Sequence, residues 1–238
     1  MTLNANSTTA KPAGKLYVVA TPIGNAGDIT TRAIETLAHA DVILCEEHRN
    51  GSRLLKSLGI AKPLLELNEH NEAERIQEVL LMLAQGQTLA LISDCGTPVF
   101  SDPGKKLLQL LYEMNIAVTP LPGASSLMAA LSVCPFDLEE FLFIGFLPVK
   151  IDQRRKKLSQ LKYADYPLVL MDTPYRMQRL LQEVQQSFGK KQNIFLACDL
   201  TMPEERLYLG PVDEILTRIQ NRKAEFILIL DRPQKKPF

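Results

Sequence analysis

The sequence predicts an α/β protein built from two domains, the first around a mostly parallel sheet. Three observations predict it. Short β-branched apolar runs alternate with helical periods from Lys15 onward. The runs are apolar almost throughout instead of alternating with polar residues, as strands covered on both faces are. After the hinge-like segment Leu121-Pro122-Gly123-Ala124-Ser125-Ser126 the pattern changes. We therefore expect domains at 15–123 and 124–231, a loose polar tail at 1–14 and a short tail at 232–238.

The first domain reads in order as follows. Leu16 to Ala20 is a strand. Asp28 is placed to cap a helix ending near His39, with Ile29, Ala33, Ile34, Leu37 and Ala38 on one face. Val42 to Cys45 is a strand, and Arg49 to Leu58 a helix stopped by Gly59. Pro63 to Leu67 is a strand, and Glu72 to Gln85 an amphipathic helix stopped by Gly86. Thr88 to Ile92 is a strand. Ser101-Asp102-Pro103 puts a capping oxygen before a proline, opening a helix that runs to Met114. Ala117 to Pro120 is the last strand.

In the second domain a helix runs to about Ser132. Strands are expected at 141–146, 167–171, 193–198, 206–210 and 225–230, and helices at 150–163, 176–188 and 211–220. No dinucleotide-type G-x-G-x-x-G follows the first strand.

Bulk numbers narrow the class. A chain of 238 residues with 46% hydrophobic content buries roughly 70–75% of its unfolded surface. Lys+Arg and Asp+Glu balance at 27 each, so any nucleic-acid surface is a local patch. Cys45, Cys95, Cys134 and Cys198 are far apart, without C-x-x-C, and sit in or beside apolar runs. They read as reduced, buried thiols of a cytoplasmic protein. Residues 1–14 lack the apolar core of a secretory signal, and no apolar run approaches the roughly 20 residues that span a bilayer.

Two turn-rich segments stand out. Thr21-Pro22-Ile23-Gly24-Asn25 follows the first strand, and Ser93-Asp94-Cys95-Gly96-Thr97-Pro98-Val99-Phe100-Ser101-Asp102-Pro103-Gly104 follows the fourth. Loops at the carboxyl ends of parallel strands are where open α/β sheets hold ligands. A carboxylate just after a buried strand, as at Asp94, is costly unless it is paired.

With Asp28-Ile29-Thr30, Arg32-Ala33, Glu69-His70-Asn71-Glu72, Leu121-Pro122-Gly123, Phe143 to Pro148 and Glu225-Phe226, these segments make an ordered series. The series resembles the ribosomal RNA small-subunit methyltransferase I family of the tetrapyrrole methylase superfamily, from Lys15 to Leu230. The resemblance implies a mostly parallel sheet in the first domain and a mixed sheet in the second. It also implies a homodimer that binds S-adenosylmethionine in the cleft between the domains and methylates the ribose 2′-hydroxyl of a cytidine in small-subunit rRNA. Two runs depart from the family pattern. Glu46-Glu47-His48-Arg49-Asn50-Gly51 stands for Glu-Asp-Thr-Arg-His-Thr, and Asp172-Thr173-Pro174-Tyr175-Arg176 for Glu-Ser-Pro-His-Arg.

By resemblance Pro22, Gly24, Asp94, Gly96, Thr97, Ala124 and Ser125 line the cofactor pocket, and Phe146, Leu147 and Met171 form its apolar wall. Gly24 and Gly96 let the backbone approach a ligand. Asp94 offers an acceptor, Thr97 and Ser125 offer hydroxyls, and the turn at 123–125 offers amides at a helix start. An alcohol nucleophile is a weak acid, so Glu46, Glu47, His48 and His70 are the candidate proton acceptors. RNA contacts are expected from Arg49 and the basic stretch with Lys150, Arg154, Arg155, Lys156 and Lys157. The three histidines lack ligand spacing, so no metal site is expected. Two other readings stay open on the residues alone: a methyltransferase of the same superfamily acting on a tetrapyrrole-like small molecule or another RNA, and a non-catalytic S-adenosylmethionine-binding protein.

Overall fold

The computed structural model describes residues 14–220 and 222–232. The expected tails lie outside these residues, apart from Gly14 and Arg232. The chain divides into one unit ending at Ser125 and another beginning at Ser126.

The first unit runs β1 (Lys15–Val19), α1 (Thr31–His39), β2 (Val42–Cys45), α2 (His48–Ser57), β3 (Leu64–Glu66), α3 (Glu72–Ala84), β4 (Thr88–Ile92), α4 (Lys105–Glu113) and β5 (Ala117–Leu121). Its sheet has the order β3-β2-β4-β1-β5. Every pairing is parallel, with Val19 level with Ile92 on one side and Leu121 on the other. All five carboxyl ends therefore meet at one edge.

Successive strand residues point to opposite faces, and each face has its helices. Leu16, Leu44, Leu89 and Leu91 pack with Ile76, Val79 and Leu83 of α3 and Leu107 and Leu111 of α4. Val19, Ile43, Ala90 and Ile92 pack with Ala33 and Leu37 of α1 and Leu55 of α2. Each such buried leucine stabilises by roughly 1.5–3 kcal/mol. The double cover explains why these strands are apolar throughout.

Two expected caps are corrected. Asp28 ends a short 3-10 turn, Ala26–Asp28, and the cap of α1 is Thr30, whose hydroxyl oxygen accepts from the Ala33 N–H at 3.1 Å. Asp102 does not cap α4. The residue in the cap position is Gly104, with φ of 115°, whose N–H donates to Glu72 Oε1 from α3 at 3.0 Å.

The second unit runs α5 (Ser126–Val133), β6 (Leu142–Phe146), α6 (Ile151–Leu161), β7 (Leu168–Asp172), α7 (Met177–Phe188), β8 (Asn193–Cys198), β9 (Arg206–Pro211), α8 (Val212–Ile219) and β10 (Phe226–Leu230). The sheet order is β6-β7-β10-β8-β9. It is mixed: β6 and β7 are parallel, and the other pairs antiparallel. One face packs Leu168, Leu170, Leu196 and Leu228 against Leu158 of α6, Leu180 and Val184 of α7, and Ile215 of α8. The other packs Val169, Phe195, Ala197, Ile227 and Ile229 against Ala130 of α5.

None of the four cysteines is in a disulfide. Burial pushes the Cys45 and Cys198 thiols up to about 12. Cys134 is half-buried, and Cys95 is exposed, against expectation, because it stands on the loop after β4. Among the described residues no helix is long and apolar enough to cross a membrane.

Candidate functional site

At the carboxyl edge of the first sheet, three loops are fastened to one another. The loop after β1 and the loop after β4 form an antiparallel bridge: Thr21 N–H donates to Gly96 O at 2.9 Å, and Gly96 N–H to Thr21 O at 3.1 Å. The buried Thr21 hydroxyl donates to Ser93 O at 3.2 Å. The loop after β5 joins through Thr97, whose hydroxyl donates to Ala124 O at 3.2 Å. Gly96 has φ of 80°, and a Cβ there would lie 3.2 Å from Ile23 Cγ2, so glycine is required for both shape and space. Pro22, Gly24, Asp94, Gly96, Thr97, Ala124 and Ser125 thus belong to one fastened set of loops. Asp94 and Thr97 lie exposed on it.

The same loop after β4 holds a strained residue. Val99 is β-branched yet has φ of 72°, a conformation that costs on the order of 1–3 kcal/mol. The Ser93 hydroxyl holds the turn before it by donating to Cys95 O at 3.0 Å.

Asp94 also fastens the start of α2. Its Oδ1 accepts the Glu47 N–H at 3.2 Å and its Oδ2 accepts Asn50 Nδ2 at 2.8 Å. The same amide donates to Glu47 Oε2 at 2.9 Å. Asn50 was missed in the sequence. Its signal was an amide three residues after a carboxylate, at helical spacing.

Glu46 is half-buried beside this clamp. Burial, and then the nearby carboxylates of Asp102, Asp94, Glu69 and Glu47, push its carboxyl up to about 7. Asp102 is raised too, chiefly by burial, with the Asp94 charge adding to it and a Ser93 hydrogen bond opposing it. His48 and Arg49 are exposed on the first turn of α2. His70 is exposed, with its N–H held by Asn68 Oδ1 at 3.0 Å.

In the second unit the expected residues fall in different surroundings. Phe146 is half-exposed at the end of β6. Leu147 packs into the core with Leu158 and Leu170, whereas Met171 packs on the opposite face, with Val169 and Ile227. Leu147 and Met171 therefore lie on opposite faces of the sheet, while Phe146 is level with Met171 in the parallel pairing of β6 and β7. Arg154 is corrected from an RNA contact to a core residue. It is 2% exposed, pairs with Glu183, and donates from Nη1 to the carbonyls of Pro148 and Val149 at 3.1 and 2.9 Å. Lys150, Arg155, Lys156 and Lys157 are exposed, together with Lys162 and Tyr163.

The altered run after β7 pairs Asp172 with Arg176 at 2.9 Å. Asp172 Oδ2 and Arg176 Nη1 are buried there without a hydrogen-bond partner. Tyr175 stands exposed beside them under Lys223, whose Nζ lies 4.9 Å from the ring centroid.

The family model for Tetrapyrrole (Corrin/Porphyrin) Methylases matches residues 15–216. The chain is 39% identical to a Haemophilus influenzae protein named ribosomal RNA small subunit methyltransferase I, over 93% of this chain and 80% of that one. A protein of the same name from Thermotoga maritima is 38% identical over 88% and 94%, and one from Synechocystis 37% over 94% and 82%. Two solved structures share the fold. Uroporphyrin-III C-methyltransferase from Thermus thermophilus, complexed with S-adenosyl homocysteine, superposes with a TM-score of 0.63 at 17% identity, over 92% of this chain and 97% of that one. A cobalt precorrin-4 methyltransferase superposes at 0.64 and 17% identity, over 91% and 94%.

Proposed function

The chain belongs to the ribosomal RNA small subunit methyltransferase I family, within the tetrapyrrole methylases, and from this we propose that it is a cytoplasmic, homodimeric enzyme that methylates the ribose 2′-oxygen of a cytidine in small-subunit rRNA. It is an S-adenosylmethionine-dependent methyltransferase.

The observation that carries the reading is the set of loops fastened at the carboxyl edge of the first sheet. They suit an adenosyl amino-acid ligand. Gly96 keeps a side chain out of a space that Ile23 already bounds, and Asp94 and Thr97 are exposed beside it. Pro22, Gly24, Gly96, Ala124 and Ser125 would hold the cofactor through backbone, and Asp94 and Thr97 through side chains. When bound, S-adenosylmethionine supplies an electrophilic methyl group on a sulfonium centre.

The chain's own residues position and neutralise. The Thr21–Gly96 bridge and the Thr97–Ala124 link hold three loops in one arrangement through the chain's own hydrogen bonds. Such preorganisation can supply roughly 7–11 kcal/mol of the barrier through alignment. Lys150, Arg155, Lys156 and Lys157 would meet RNA phosphates, which positions a strand without reading its sequence.

The test is transfer of a labelled methyl group to small ribosomal subunits from cells lacking this protein. The expected result is label at a cytidine ribose. Label confined to a small-molecule acceptor, or none despite cofactor binding, would overturn the reading.

A further inference from the structure

We propose that Glu46 takes the proton from the attacking hydroxyl, with the carboxylates of Asp102, Asp94 and Glu69 set around it. The inference rests on the methyltransferase reading above.

Several side chains at this edge are chemically able to accept that proton, and their surroundings separate Glu46 from the rest: Asp102 takes a hydrogen bond from Ser93, and Glu69 is exposed. Glu47 accepts from Asn50, and its own N–H is held by Asp94. Glu47 and Asp94 are therefore occupied in fixing the start of α2. His48 and His70 are exposed, so water competes for their ring nitrogens. Glu46 is half-buried, and among the described residues no hydrogen bond or ion pair holds its carboxylate.

Its surroundings come from every neighbouring element. Asp94 stands on the loop after β4, Asp102 on the segment before α4, Glu69 on the loop after β3, and Glu47 at the start of α2. Burial and like charge both disfavour the ionised form, so Glu46 keeps its proton up to about pH 7. A base of that strength is matched to neutral pH, where proton transfer by a positioned carboxylate is most effective.

The step balances. The hydroxyl O–H bond breaks and its proton passes to a Glu46 oxygen. The new O–CH3 bond forms as the S–CH3 bond of the methyl donor breaks, and that bond's electron pair stays on sulfur as a neutral thioether. Glu46 then gives the proton to water. Asp102 acts as a positioning residue, through its charge.

The test uses the full chain labelled with 13C at glutamate carboxyls. The resonance absent from Glu46→Gln identifies Glu46. We expect its midpoint near 7, and a lower midpoint in Asp102→Asn, which removes a like charge. Methyl transfer at saturating donor should rise with pH through the same midpoint and shift with it in Asp102→Asn. Glu46→Gln should cut turnover by roughly 10²–10⁴-fold while S-adenosylhomocysteine affinity stays at the parental value. A parent that transfers methyl and a Glu46→Gln variant that transfers as fast would overturn this assignment alone. So would a pH profile that stays put while the Glu46 midpoint moves. A parent that binds the donor and methylates no rRNA would overturn the underlying reading, and this one with it.

Discussion

Arg154 and Glu183 meet inside the second unit as a two-point ion pair, Nη2 donating to Oε1 at 2.8 Å and Nε to Oε2, with side chains 2% and 5% exposed. The guanidinium holds the Glu183 carboxyl below the usual range, through its hydrogen bond first and its charge second. Removing one partner strands a buried charge, so Arg154→Ala should lower stability by about 3–5 kcal/mol, read from urea unfolding. The depressed Glu183 carboxyl adds stability above its unfolded value, and this is lost as pH falls through the folded one. The defect of Arg154→Ala should therefore shrink in acid.

The exposed face of α6 should behave oppositely. Lys150, Arg155, Lys156 and Lys157 each project into solvent. Changing Arg155, Lys156 and Lys157 together to glutamine should leave stability within about 0.5 kcal/mol. RNA affinity should fall, and the salt slope should flatten by roughly 0.7 for each phosphate no longer neutralised. Filter binding across a salt series checks this.

Glu46 makes a prediction about stability that does not depend on catalysis. Its folded carboxyl titrates near 7, above the ordinary 4.5. The folded state therefore binds the extra proton, and stability falls as pH rises between those values. Glu46→Gln should raise the melting temperature above pH 7 and leave it nearly unchanged at acid pH below about 5. Equal shifts at both ends would contradict the environment described.

Gly96→Ala should weaken cofactor binding. At φ of 80° a side chain is strained, and its Cβ would press on Ile23 at 3.2 Å. The left-handed backbone alone costs roughly 1–2 kcal/mol. If the loop yields to relieve that, S-adenosylhomocysteine affinity should fall by about tenfold, the equivalent of 1.4 kcal/mol. Calorimetric titration measures it.

The strands of both units were legible because continuous apolar runs bounded by turns admit few other structures. Val42–Cys45, Thr88–Ile92 and Asn193–Cys198 fall at the expected boundaries. What stayed hidden was mostly non-local. Nothing near Gly104 in sequence indicates that Glu72, on α3, closes the start of α4. Two capping oxygens, Asp28 and Thr30, stood two residues apart, and only the folded backbone selects Thr30. Arg154 was a different failure. A basic run suggests a solvated face, yet Arg154, Leu158 and Leu161 share helical spacing and are buried together. Glu183, beside Leu180, Leu181 and Val184, carried the matching signal of an acid on an apolar stripe. The loops at the sheet edge were placed by strand direction, but the Asp94–Asn50–Glu47 clamp required atoms.

Gly51 lies buried on α2, and a Cβ there would come 3.0 Å from Cys45 Cβ, 3.1 Å from its sulfur and 3.3 Å from Leu64 Cδ2. A side chain at 51 therefore requires a smaller residue at 45, or a retreat of α2 that carries Glu47 and Asn50 away from Asp94. The 46–51 run thus answers to two masters: its first five residues face the sheet edge, and its sixth is dictated by the strand on which the helix lies.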